Sequence, residues 1–207
     1  MTQKNSLFIL SSYLIYGLVM PLLSRISNPS IAFTTQTFFN ILSLGLFILI
    51  NYKIAYQNSQ ETSVISFNRL FLGSILAFVS LLIAQIIFKW IEIHLFHLSG
   101  FSENTNLLLE ISRKYPFYII GIIFTAPVLE ELVFRKVLFG NMSDFISPNL
   151  AAAFSSLLFS FAHHDGHFII YFVLGLILCF TYHKTQSILA PIFAHIGMNI
   201  VILAFAL

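Results

Sequence analysis

The sequence predicts an all-α protein, a polytopic integral membrane helical bundle of about seven transmembrane helices. Three observations carry that expectation. Only 9% of the 207 residues are charged while 58% are hydrophobic, and a soluble domain carries about 25% charged residues to cover its surface. Uncharged runs recur at a length near the roughly 20 residues that cross a bilayer at about 1.5 Å per residue. Charged and turn-forming residues gather at the ends of those runs. The bundle therefore faces the lipid bilayer with leucine, isoleucine and many of its 24 phenylalanines.

In chain order, the first run covers residues 6–24 and is closed by Arg25. It is long and lacks a small-residue cleavage pattern, so it reads as a retained helix. The second lies within 26–52, mainly from Ile31 onward, and Lys53 closes it. A polar loop over 57–68 separates it from the third, residues 70–88, which is bounded by Arg69 and Lys89. Residues 89–114 are mixed, with Trp90, Leu95 and Phe96 among Glu92, His94 and His97. That mixture is expected of an interfacial segment.

The fourth span starts at Tyr115-Pro116, because proline is tolerated in a first helical turn. It ends near Gly140-Asn141, where glycine and asparagine favour a helix stop. Ser147-Pro148 supplies an N-cap and first-turn proline for the fifth span, which ends at His163-His164-Asp165-Gly166. The sixth covers 168–182, and the seventh runs from Ser187 with Pro191 in its first turn. No internal repeat interrupts a single membrane domain over 1–207.

Composition also excludes. A net charge of +2, scattered along the chain, gives no basic patch for nucleic acid. The one cysteine, Cys179, permits no intramolecular disulfide and no cysteine-built zinc site. It reads as a small packed hydrophobe. Nothing sets an oligomeric state.

The candidate chemistry lies in the last ninety residues. Fifteen uncharged residues, 115–129, lead into Glu130-Glu131-Leu132-Val133-Phe134-Arg135. A membrane-depth carboxylate costs roughly 2.5–3.5 kcal/mol, so such a cluster marks a functional site by default. Glu131 and Arg135 form an i,i+4 pair with the acid first, the favourable order. Glu130 lies about 100° around the helix and has no built-in partner. A carboxylate of that kind is a candidate general base on water.

The fifth span ends with Phe159 one turn before His163, and the seventh carries His195 and Asn199 on one face. Counting from the loops puts Glu130, His163 and His195 about 15, 22 and 12 Å below the same surface, agreement within the ~10 Å that tilt allows. Each of His163, His195 and Asn199 alone would more often be an interhelical hydrogen bond. Together they point to a site in which histidine and asparagine stabilise an oxyanion. His164, Asp165 and His167 are expected to line the loop at its mouth.

The ordered set Glu130-Glu131-x-x-x-Arg135, Phe159-x-x-x-His163 and His195-x-x-x-Asn199 resembles the three motifs of the CAAX-protease and bacteriocin-processing (CPBP, Abi-type) family of intramembrane glutamate endopeptidases. The lead-in over 189–195 is similar as well. The resemblance covers 115–207 as a catalytic core, and the spans within 1–114 carry no signature. It implies that Glu130 and His163 activate water and that His195 and Asn199 hold the oxyanion. Glu131 and Arg135 are implied to orient the site, with no metal or other cofactor. The implied substrate is a peptide or membrane protein. Small bacterial relatives imply a place in the cytoplasmic membrane and in bacteriocin or peptide-pheromone maturation or self-immunity.

Other classes compete with that reading. A non-catalytic immunity or scaffold protein would keep the same residues for packing. A proton-coupled transporter also uses buried carboxylates and histidines, but the inverted repeat and broken helices that mark transporters are not evident. A zinc peptidase needs two histidines and a glutamate around an open site, and the H-E-x-x-H pattern is absent.

Overall fold

The computed structural model describes residues 3–53, 58, 60, 61, 66–98 and 103–206. Among these, every regular element is helical: α1 (Gln3–Leu23), α2 (Pro29–Lys53), α3 (Phe67–Leu95), α4 (Glu103–Lys114), α5 (Pro116–Met142), α6 (Pro148–His163), α7 (Phe168–Thr185) and α8 (Leu189–Ala206). Short polar side chains start several of them. Asn28 accepts from the amides of Ser30 and Ile31 ahead of α2. Ser66 accepts from Arg69 at the start of α3, and Ser147 from Leu150 at the start of α6. Each satisfies amides that the first helical turn leaves without intrahelical partners.

Six helices, α1, α2, α3, α5, α7 and α8, are long and apolar enough to cross a membrane. The chain is thus a polytopic helical membrane bundle. The seventh expected span, α6, has only 16 residues, about 24 Å by its rise. It is apolar but short, and its last residue, His163, is only partly buried.

The third span is longer than its charge boundaries imply. Lys89 does not close it: α3 continues two turns further, to Leu95. The expected interfacial residue Glu92 is instead buried at 1% exposure.

Helix α5 lies at the centre. Half of its apolar window is buried, against 11% for α1. It packs against α1 and α2 on one side, and against α6, α7 and α8 on the other. Leu129, Leu132, Val133, Phe134 and Val137 join Phe159, Tyr182 and Ile192 in the main apolar core. A second core of Ala77 and Leu81 with Leu174, Leu178, Ala194 and Met198 joins α3 to α7 and α8.

The expected regular fourth span is interrupted. A 3₁₀ turn at Pro116–Tyr118 is followed by π-helical hydrogen bonding over Gly121–Thr125 and again over Glu131–Phe139. Such wide turns concentrate at functional sites.

The polar loop after α2 turns inward at its described residues. Asn58 Nδ2 donates to the Lys136 carbonyl (2.8 Å), Gln60 meets His183 (2.6 Å), and Glu61 pairs with Lys136 (3.1 Å). These contacts anchor the C-terminal half of α5 to the end of α7.

Helices α6 and α7 come close at small residues. A Cβ on Gly175 would stand 2.8 Å from Ser156 Cβ. Gly175→Leu is therefore expected to lower stability by about 1–3 kcal/mol through overpacking, read as a lower Tm of the purified protein in detergent.

Candidate active site

Three buried side chains, Glu131 and Arg135 from α5 and His195 from α8, form the base of the site. Glu131 and Arg135 are both fully buried, and Arg135 Nη1 lies 3.1 Å from Glu131 Oε1. The guanidinium carbon also stands 4.2 Å from the centroid of the Phe159 ring. A desolvated contact of that kind contributes about 2 kcal/mol. His195, 5% exposed, donates from Nδ1 to the same Glu131 Oε1 at 2.8 Å. That bond fixes the ring orientation and turns Nε2 towards Glu130, whose Oε2 is 3.9 Å away. The adjacent carboxylates are thereby separated. Glu131 is held between an arginine and a histidine, while Glu130 keeps 20% side-chain exposure.

His163 is the last residue of α6 and donates from Nδ1 to the Phe159 carbonyl at 2.8 Å. Its Nε2 is left as an acceptor in the neutral ring. Phe159 contacts it edge-on at 4.6 Å, and Tyr171 stacks on it at 3.7 Å between ring centroids. His164, the second of the doubled histidines, is exposed and ends the helix at φ 49°.

Asn199 is placed by a defect in α5. In the π-helical stretch each amide bonds five residues back, as Ala126 N–H does to Gly121 O. The amide that would serve Ile122 O in that register belongs to residue 127, which is proline and has no N–H. Asn199 Nδ2 donates to that carbonyl instead, at 3.1 Å. Its second amide hydrogen remains for another acceptor.

Glu130, His163, His195 and Asn199 line one cavity of about 410 Å³. Glu131 and Arg135 stand behind its wall. Among the described residues, no group of three or more His, Cys, Asp or Glu side chains is arranged to hold a metal ion.

Comparison with known proteins shows the family. Residues 112–201 match the family described as type II CAAX prenyl endopeptidase, Rce1-like. The membrane-embedded CAAX protease MroQ of Staphylococcus aureus is 34% identical over 168 residues, covering 77% of this chain and 68% of MroQ. The chain belongs to the Rce1-like CAAX endopeptidase family. YdiL of Bacillus subtilis is 34% identical over 148 residues, which cover 71% of this chain and 59% of YdiL. The UPF0177 protein YajF of Lactococcus lactis is 28% identical over 138 residues, 65% of each chain. No solved structure matches.

Within this Rce1-like chain the cavity also contains groups from outside the three motifs. Gln85, Lys89 and Glu92 of α3 line it, as do Tyr16, Asn40 and Tyr118. Spacings of four and three put Gln85, Lys89 and Glu92 on one helix face. Glu92 is the only acid in α3, which was the available signal. Of the loop residues, His167 lines the cavity and pairs with Glu92 at 2.6 Å. Asp165 accepts from the Tyr171 hydroxyl at 2.8 Å.

Two outcomes are expected at this site. Arg135→Ala leaves Glu131 without its cation and should cost about 3–5 kcal/mol, measured by thermal unfolding in detergent. Pro127→Ala restores an amide for Ile122 O. The Asn199 side-chain N–H signals should then exchange faster with solvent, in NMR spectra of a protein that stays folded.

Proposed function

We propose that this chain is an intramembrane endopeptidase that hydrolyses a peptide bond of a membrane-associated peptide or protein. One observation carries the reading. The Arg135–Glu131–His195 chain of contacts turns His195 Nε2 towards Glu130 in a cavity that His163 and Asn199 also line. A partly exposed carboxylate, an imidazole acceptor and two hydrogen-bond donors around one space are the parts that acyl hydrolysis requires.

In the proposed reaction a water bound between Glu130 and His163 loses a proton to Glu130 as its oxygen attacks the scissile carbonyl carbon. The C=O π electrons move to oxygen. Nε2–H of a protonated His195 and the second Nδ2–H of Asn199 hold that oxyanion. Collapse re-forms the carbonyl and breaks the C–N bond, and the departing amine takes the proton from Glu130. Positioned acid–base catalysis is worth about 10²–10⁴-fold, and each oxyanion donor about 10²–10³-fold. The reaction as written uses no metal.

The membrane-protease name of MroQ supports the reaction class. Relatives in Bacillus, Staphylococcus and Lactococcus support the bacterial cytoplasmic membrane as its place. A role in bacteriocin or peptide-pheromone maturation, or in self-immunity, rests on the motif resemblance alone.

The test is cleavage of an internally quenched CAAX peptide by purified protein in nanodiscs. Glu130→Gln, His163→Ala and His195→Ala should each lower kcat by at least about 100-fold with Tm retained. His164→Gly should remain active, and activity should persist in EDTA. Normal turnover by Glu130→Gln would remove the proposed base, and loss of activity in EDTA would favour the zinc reading.

A further inference from the structure

His163 ends α6, so no later turn of its own helix covers the ring. Its one hydrogen bond runs back to Phe159 of the same helix, and the open ring face is covered from the first turn of α7 by Tyr171. The two planes are 22° apart at 3.7 Å. Tyr171 is itself held through Asp165. Its hydroxyl donates to Asp165 Oδ2 at 2.8 Å, and the other oxygen of that carboxylate accepts from the His167 amide at 3.2 Å.

The helix start that carries Tyr171 is fixed from a third element. His167 stands at the N-cap of α7, but its side chain caps no amide. Glu92 of α3 does so in its place, with Oε1 accepting from Ile170 N–H at 3.2 Å and Oε2 from His167 Nδ1 at 2.6 Å. A carboxylate at a helix N-terminus is favoured both by the free amides and by the helix dipole. Here it arrives from another helix and is buried, so it sets where α7 begins.

Resting on the peptidase reading above, we propose that Tyr171 is a positioning residue for His163, clamped by Asp165 and seated by Glu92 as a cap supplied in trans. Tyr171 holds the imidazole face so that Nε2 points into the cavity. Asp165 holds the Tyr171 ring, and Glu92 holds the turn on which it stands. None of these three side chains takes or gives a proton in the reaction.

Two readouts test the proposal, both on the full chain in nanodiscs. In spectra of histidine-labelled protein, with His163 assigned from its loss in His163→Ala, the Cε1–H resonance should show the upfield shift of a ring stacked on tyrosine. Tyr171→Phe should keep that shift and Tyr171→Leu should abolish it. In cleavage of the quenched CAAX peptide, Tyr171→Leu should lower kcat about 10–100-fold, as misplaced catalytic groups do, with KM unchanged.

Tyr171→Phe and Asp165→Asn act on the same hydrogen bond from its two sides and leave the packing in place. Each should give a smaller loss in kcat than Tyr171→Leu, and the two losses should not add in the double variant. Glu92→Gln, which keeps an acceptor for Ile170 N–H, should restore most of what Glu92→Ala loses. An unshifted His163 resonance in the unsubstituted protein would overturn the proposal. So would a rise in KM alone, or additive effects of Tyr171→Phe and Asp165→Asn. Full activity of His163→Ala would instead remove His163 from the proposed reaction, and absence of cleavage by the unsubstituted protein would sink the peptidase reading, while the resonance shift would still report the stacking.

Discussion

The buried pair of Glu131 and Arg135 is the constraint on which the rest of the site depends. Neither charge reaches solvent, and a lone charge at that depth is costly enough to shift or unfold its surroundings. The pair therefore requires neighbours that add to its compensation: the Phe159 ring over the guanidinium and the His195 Nδ1–H on the carboxylate. Those neighbours come from α6 and α8, so neutralising one turn of α5 orders two helices around it. The orientation of His195 is a by-product of that neutralisation.

Much of this was legible because membrane sequences are sparse in polar residues. In a chain with so few charges, a Glu-Glu-x-x-x-Arg cluster and a histidine four residues before an asparagine stand out without any alignment. The i,i+4 spacing separated Glu131 from Glu130, and the structure keeps that separation. Counting along straight helices puts Glu130, His163 and His195 at comparable depth, and they meet at one cavity.

What stayed hidden has definite physical causes. Glu92 reads as interfacial because a lysine three residues earlier marks a water boundary in a membrane sequence, but Lys89 lines the internal cavity beside Gln85 and Glu92. The π-helical turns in α5 leave no mark in hydrophobic periodicity. Pro127 was visible, but its consequence depends on which register the surrounding amides adopt. The partnership of Tyr171 with His163 joins two helices across a tight turn, and spacing within one helix cannot reveal it. Asn58, Gln60 and Glu61 read as an ordinary polar loop, since their polarity does not say whether their partners are water or the carbonyl of Lys136.

The bond from Asn199 to the Ile122 carbonyl has a consequence for which side chains position 199 can carry. That carbonyl oxygen is an acceptor and stands 3.1 Å from the side-chain nitrogen. Aspartate matches asparagine in size and shape, yet when ionised it would set oxygen against oxygen at that distance. An amide also cannot flip there without making the same clash. The backbone of α5 thus acts as a chemical sieve on α8, selecting amide over acid and one amide orientation over the other before any substrate is bound.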